Sequence, residues 1–262
     1  MPAYEIFALR YAAMPERTVG QSFLFPDRHD APWPMDFFLW AIRGEGRVIV
    51  VDTGFSAASG AERGRATLHA VPAMLGRIGI DAAQVPDVVM THLHWDHAGN
   101  MDLFGRASFH LQDSEMQFCT GRCMCHPLLR RTFALEDVLA MVRLVYGGRV
   151  LFHDGNAEIA PGITLHRLGG HTGGMQAVRV PTARGHVVLA SDGAHFWANL
   201  ESGNPFPILV DVAEMLEGFR LLTALADSPD HIIPGHDPAV LRRFPPVAGV
   251  PDTVRLDLPP LC

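Results

Sequence analysis

Apolar residues come in short, nearly continuous runs at the start of the chain: Tyr4 to Tyr11, Asp36 to Arg43 and Arg47 to Asp52. Runs of this length bounded by turn residues predict strands, and Gly44-Glu45-Gly46 between the last two suits a hairpin, so the chain opens as antiparallel sheet. Positions 72 to 79 suit a helix, and Pro86 to Thr91 reads as a buried strand. A helix-rich stretch follows from about 112 to 146, after which strands return at Arg149 to His153, Ile163 to Leu168, Met175 to Val180 and His186 to Ser191. From Asp211 to Ala226, the residues Val212, Met215, Leu216, Phe219, Leu222 and Leu225 fall on one helical face, with Asp211 and Glu214 as a capping pair.

Sheets that recur in two halves, each followed by helices, predict an α+β fold in which two mixed sheets pack face to face with helices outside. One domain accounts for the whole chain, residues 1–262. No fixed-period repeat is present, although Val51-Asp52-Thr53-Gly54 and Ala190-Ser191-Asp192-Gly193 are similar strand-to-turn endings in the two halves. Arg17 to Met35, rich in Pro, Phe and Asp, reads as a long loop, and a loop of that length is a candidate lid over a site. The helix-rich 112–146 stretch reads as a helical insertion.

Composition narrows the function. Apolar residues make up 48% and charged residues 19%, the balance of a packed globular protein. The net charge is −7 and no basic block occurs, which argues against nucleic acid as a partner. There is no lysine, so Schiff-base chemistry and a lysine general base are excluded. No apolar stretch approaches the ~18 residues of a membrane span, and the opening residues lack the pattern of a secretion leader, so the expected location is the cytoplasm. Cysteines at 119, 123, 125 and 262 are too sparse for a disulfide framework, which agrees with a reducing compartment. The apolar N-terminal segment is a candidate surface for a homodimer.

The chemistry concentrates in His92-Leu93-His94-Trp95-Asp96-His97. His92 and His94, two apart in an extended turn, can share a metal ion. Asp96 and His97 follow where the chain turns and aim at a neighbouring position. Imidazole nitrogen and carboxylate oxygen are ligands that Zn²⁺ favours in catalytic sites. His171 after Gly169-Gly170, Asp192 at the end of an apolar run and His236 after Pro234-Gly235 have similar strand-end settings. Asp192 suits a bridging role, because one carboxylate can serve two ions ~3.5–4 Å apart. Cys119, Cys123, Cys125 and His126 form a second group with ligand chemistry, but their spacing matches no usual zinc finger or ribbon; buried residues or pocket wall is the alternative. The other histidines, His29, His110 and His153 among them, lack such a setting and are assigned to surface or core. Trp95, Phe23, Phe25, Trp33, Met35 and Phe37 suit core or lid packing, with an apolar substrate pocket as the functional alternative.

These residues strongly resemble the metallo-β-lactamase-fold superfamily, whose H-x-H-x-D-H signature stands here as His92 to His97, over roughly Asp36 to Pro238. The resemblance implies an αββα sandwich, a first ion held by His92, His94 and His171, a second by Asp96, His97 and His236, and Asp192 between them. It implies two divalent ions, Zn²⁺ first among them, and hydrolysis without a serine or cysteine nucleophile. Asp96 would serve both as ligand and as the acid that protonates the leaving group.

Within the superfamily, the long N-terminal loop, His171-Thr172-Gly173-Gly174 and Gly235-His236-Asp237 are most similar to the N-acyl-homoserine lactonase group. The resemblance therefore implies lactone ring opening on a small-molecule substrate. In that group a tyrosine near the bridging aspartate helps to position the lactone carbonyl; the matching place, three residues after Asp192, holds His195. His195 has two roles open to it, hydrogen bonding to the carbonyl or forming pocket wall. Another cyclic ester, such as a pyridoxolactone or aromatic lactone, is the nearest alternative substrate. A glyoxalase II-like thioesterase, a true β-lactamase, a di-iron redox centre and a non-catalytic metal-binding module rank lower.

Overall fold

The computed structural model describes residues 2–26 and 30–261. His29, Cys262 and positions 27–29 of the expected lid lie outside the described residues. Among the described residues twelve strands are formed: Glu5–Met14 (β1), Met35–Gly44 (β2), Arg47–Val51 (β3), Asp87–Val89 (β4), Ser108–Gln112 (β5), Val150–His153 (β6), Ala157–Ala160 (β7), Ile163–Arg167 (β8), Gln176–Thr182 (β9), Gly185–Ser191 (β10), Ile232–Pro234 (β11) and Thr253–Arg255 (β12). One sheet has seven strands in the order β12-β1-β2-β3-β4-β5-β6, and the other has five in the order β11-β10-β9-β8-β7. Both are mixed. β1, β2 and β3 pair antiparallel and β3 to β6 parallel; in the second sheet only β10 and β11 are parallel.

The near-continuous apolar runs reflect strands buried on both faces. Along β1 and β2, Ile6, Ala8, Phe38, Trp40 and Ile42 point between the sheets and meet Leu165, Val178, Val180 and Leu189 of the second sheet. The alternate residues Phe7, Leu9, Phe37, Leu39 and Ala41 face outward to Met74, Leu75, Val138 and Met141 of covering helices. On the far side Ala177, Val188 and Ala190 pack on Met215, Phe219 and Leu222. This gives helix, sheet, sheet and helix in layers, an αββα sandwich.

The hairpin between β2 and β3 turns at Glu45 (φ 51°) and Gly46 (φ 70°), the two left-handed residues that a tight hairpin turn with right-handed twist requires. The helix Val212–Leu225 starts at Asp211, whose side chain accepts from the Glu214 amide. Its buried stripe is narrower than the sequence pattern indicates. Met215, Gly218, Phe219 and Leu222 are buried, whereas Val212 and Leu216 are 42% and 38% exposed because the helix meets the sheet along a single edge. The apolar N-terminal segment is consumed by the core: Ile6, Phe7, Ala8 and Leu9 are all buried, so they leave no apolar face for a second copy.

The 112–146 stretch begins with the last residue of β5 and continues as the helices Asp113–Thr120, Pro127–Arg130 and Leu135–Tyr146. The 17–35 loop is seated against the segment near 199–206: the Leu24 amide donates to Pro205 O, Phe25 and Asn204 exchange hydrogen bonds, and Asn199 Nδ2 donates to Ser22 O. Among the described residues no helix is long and apolar enough to cross a membrane.

Candidate metal centre

The centre lies where strands of both sheets end. The Gln176 amide donates to Thr91 O and its side chain to Met90 O, while the Asp36 amide donates to His236 O; these bonds fasten the two sheets together at the strand ends. The chain leaving β4 turns at once, with the His97 and Ala98 amides returning to His94 O. Gly99 lets this turn lie against the backbone of Phe55 and Ser56, since a Cβ there would stand 2.2 Å from Ser56 N.

His92, His94, His171 and Asp192 form one buried group of converging ligand atoms, and Asp96, His97 and His236 form another. Asp192 divides its oxygens between them. Oδ2 is 3.2 Å from His171 Nε2 and 3.9 Å from His92 Nε2, and His94 Nδ1 is 2.9 Å from His171 Nε2. Oδ1 is 3.0 Å from His236 Nε2 and 3.3 Å from His97 Nε2, with Asp96 Oδ2 3.7 Å from His97 Nε2 and 3.9 Å from His236 Nε2. The structure thus brings all seven expected ligands together.

The fit to metal follows from the polar atoms. Despite these close approaches, among the described residues His92 Nε2, His97 Nε2, His236 Nε2 and Asp192 Oδ1 are buried without a hydrogen bond, a costly arrangement unless a cation completes it. Burial and the neighbouring imidazoles hold His92 and His94 well below the usual histidine range, hence neutral, the state a ligand needs. At His97 burial works the same way but is outweighed by the carboxylates of Asp192, Asp96 and Asp52, which raise its pKa and define a site of excess negative charge.

The ring nitrogens facing away are fixed as well. His97 Nδ1 lies 2.8 Å from Asp52 Oδ2, His92 Nδ1 3.1 Å from Thr91 Oγ1, His171 Nδ1 2.7 Å from Ile208 O and His236 Nδ1 2.8 Å from Asp36 O. Such partners select the tautomer and aim the other nitrogen into the centre, where it could meet an ion. Asp52 also accepts from the Thr91 amide and hydroxyl. The fully buried Glu115 carboxylate accepts from the Leu93 amide, the Thr172 hydroxyl and the Gly174 amide, so it clamps the His92–His97 loop to the loop carrying His171. Burial raises its pKa although all three bonds oppose this. Sequence reasoning missed Asp52 and Glu115 as site residues; only the Val51-Asp52-Thr53-Gly54 echo pointed near the first.

His195 is 2% exposed, with its ring stacked on Phe206 at 3.7 Å between centroids and Nε2 3.0 Å from Asp192 Oδ2. It also converges with Asp192 and His236 as a third possible ligand group. Burial lowers its pKa to about 3, leaving a neutral ring. Among the described residues, none of the converging groups includes Cys119, Cys123, Cys125 or His126. The Cys119 thiol is pushed up to about 12 by burial and is therefore inert.

A cleft of about 120 Å³ opens on Asp96, Asp192 and His195 and is walled by Met14, Arg17, Met35, Phe37, Trp95 and Phe206. A recess of about 80 Å³ adjoins it past His94, His171 and Thr132, among Phe118, Leu128, Leu129 and Ile208. Phe37 and Trp95 therefore line the cleft as well as packing against Phe55, while Phe23 packs on Trp33 away from it.

The model of the metallo-beta-lactamase superfamily matches residues 38–242. The N-acyl homoserine lactonase AiiA of Bacillus thuringiensis subsp. kurstaki is 26% identical over 134 residues, 51% of this chain and 48% of that protein. The N-acyl homoserine lactonase AiiB of Agrobacterium fabrum is 28% identical over 138 residues, 49% of this chain and 48% of that protein. The chain thus matches about half the length of these curated relatives. Among solved structures, a quorum-quenching N-acyl homoserine lactone lactonase superposes with a TM-score of 0.74 at 20% identity, covering 91% of this chain and 94% of that one. AidC, a dizinc quorum-quenching lactonase in complex with a product, superposes with a TM-score of 0.68 at 17% identity, covering 98% and 94%. At these identities the structural likeness carries the fold.

Proposed function

This chain belongs to the metallo-beta-lactamase superfamily, and on that premise we propose that it is a dinuclear metal-dependent hydrolase that opens the ring of N-acyl homoserine lactones. The observation that carries this reading is the division of Asp192, with one oxygen toward His92, His94 and His171 and the other toward His97, His236 and Asp96. The substrate class is supported by the relatives, named N-acyl homoserine lactonases. Zinc suits a set of imidazole nitrogens and carboxylate oxygens, and one structural relative is named a dizinc lactonase.

His92, His94 and His171 would hold one ion and Asp96, His97 and His236 another, with Asp192 available to both sets. Such ions would supply a water of lowered pKa as nucleophile and a Lewis acid for the lactone carbonyl. Asp96 lies at the floor of the cleft, where its carboxylate can carry the proton released by the attacking water to the ring oxygen as the ester bond breaks. Phe37, Trp95 and Phe206 keep bulk water from the reacting carbonyl. The neutral His195 ring flanks that carbonyl as a hydrogen-bond donor.

We place the protein in the cytoplasm, where its free thiols would persist; a homodimer would have to use a face other than the buried N-terminal segment, and light scattering on the eluted protein tests for it. For the function, zinc-loaded protein is assayed by pH-stat on N-hexanoyl-homoserine lactone, an aromatic lactone and a thioester. Proton release with the acyl homoserine lactone is expected. Turnover of the thioester alone would overturn the proposal, and turnover of the aromatic lactone alone would move the substrate to that class.

A further inference from the structure

Arg17 has no part in the metal centre, yet it sits on the cleft wall opposite Asp96 and Asp192. Its guanidinium lies 4.5 Å above the Phe206 ring, the same ring on which His195 stacks. Two of its nitrogens are anchored on neutral groups: Nε donates to Ser22 Oγ at 3.1 Å and Nη2 to Gln21 O. Among the described residues the third, Nη1, reaches the Met14 thioether sulfur at 3.7 Å, a weak acceptor. Its pKa is lowered to about 10, chiefly because burial withholds water and secondarily because Arg65 repels it, so the side chain remains charged at neutral pH.

A guanidinium has five N–H donors in a rigid fork, and those left over here have no strong acceptor among its described partners. The side chain is half-buried, with two nitrogens anchored and its place on a cleft wall shared with Met14, Met35, Phe37 and Trp95, and the carboxylates in that cleft, Asp96 and Asp192, belong to the metal centre, so the spare donors are free to take an oxygen acceptor that arrives with a ligand. The metal ligands already account for the reacting ester. Arg17 is therefore free for a second polar group of a substrate, outside the ring.

We propose that Arg17 is a specificity-determining residue that donates hydrogen bonds to the exocyclic amide carbonyl of an N-acyl lactone and so separates such substrates from lactones bearing only an alkyl chain. The inference rests on the lactonase reading given above. A charged donor facing an amide oxygen in a cleft of this kind is worth ~10-fold to 100-fold in discrimination.

The test compares wild type, Arg17→Met and Arg17→Lys on N-hexanoyl-homoserine lactone and on γ-decanolactone, which has the same ring and no amide. Arg17→Met keeps apolar bulk over Phe206. It is expected to lose ~10-fold to 100-fold in kcat/KM on the acyl homoserine lactone, mostly through KM, and to stay within about twofold on γ-decanolactone. Arg17→Lys, which retains charge but not the fork, is expected to recover part of the loss. Circular dichroism and zinc content check that both variants fold and load. Equal losses on the two lactones, or no loss on either, would overturn the role of Arg17 and leave the lactonase reading intact. A wild type inert on both lactones would sink that reading and the inference with it.

Discussion

Replacing Glu115 tests whether the metal loops are held by the buried carboxylate beneath them. The side chain is fully buried and accepts from Leu93 N at 2.9 Å, Thr172 Oγ1 at 2.5 Å and Gly174 N at 3.0 Å. Glu115→Ala strands two buried amides, each at a cost of ~1–3 kcal/mol, so the expected destabilisation is about 4 kcal/mol. For a chain of this size each kcal/mol moves the melting midpoint by ~2–4 °C, which gives a fall of ~8–16 °C. Glu115→Gln keeps the volume and one acceptor oxygen but turns an amide toward a donor; ~2 kcal/mol and ~4–8 °C are expected. Because Leu93 lies between His92 and His94, and Thr172 follows His171, loosening these loops is also expected to weaken zinc binding ~10-fold to 100-fold. Thermal unfolding of chelator-treated protein reads the first effect, and zinc competition with a chromophoric chelator reads the second. A Glu115→Gln midpoint within about 1 °C of wild type, or an unchanged zinc affinity in a destabilised variant, would refute the clamp.

Two other sites make separate predictions. Asp137, buried with Oδ2 lacking a partner among the described residues, has its pKa pushed up from the usual 3.8 to about 7, chiefly by burial, with Arg63 opposing and Glu136, Asp102 and Glu62 adding to the rise. The folded state therefore holds this proton more tightly than the unfolded chain, so stability falls as pH climbs from about 4 to about 7 and stays low above that. In urea titrations Asp137→Asn should gain ~2–4 kcal/mol over wild type at pH 8 and nothing at pH 4; an equal gain at both pH values would contradict this origin. His195→Phe preserves the stack on Phe206 but removes Nε2, and is expected to cut kcat ~10-fold to 100-fold with both zinc equivalents retained. Loss of one zinc equivalent would reassign His195 as a ligand, and unchanged kinetics would reduce it to pocket wall.

The parts legible in the sequence are those whose physics is local. Four ligand side chains crowd into His92–His97, and each remaining ligand follows a strand end, so residue type and a short turn located them without tertiary information. Strands buried on both faces are nearly as plain, since Ile6 to Leu9 and Phe37 to Ile42 leave no polar residue in the run. What escaped depends on distant partners. β11 and β12 have three residues each, too few for alternation to register, and exist because β10 and β1 offer them an edge. Glu115 looks like any polar residue early in a helix until the fold seats two glycine-rich or histidine-rich loops upon it.

The echo between Val51-Asp52-Thr53-Gly54 and Ala190-Ser191-Asp192-Gly193 lies between these cases. Asp52 (φ 61°) and Ser191 (φ 46°) both take the left-handed conformation just where a strand ends, at a cost of ~1–3 kcal/mol each for a residue other than glycine. Thr91 Oγ1 bonds to both, to Asp52 Oδ2 at 2.8 Å and to Ser191 Oγ at 3.0 Å. The same bend thus serves each half differently. In the first it brings the Asp52 carboxylate behind His97, and in the second it swings the next residue, Asp192, between the two ligand groups. Thr91, immediately before the metal motif, holds the two bends together, so the spacing of the ligand sets is fixed by a contact between the sheets and not by either half alone.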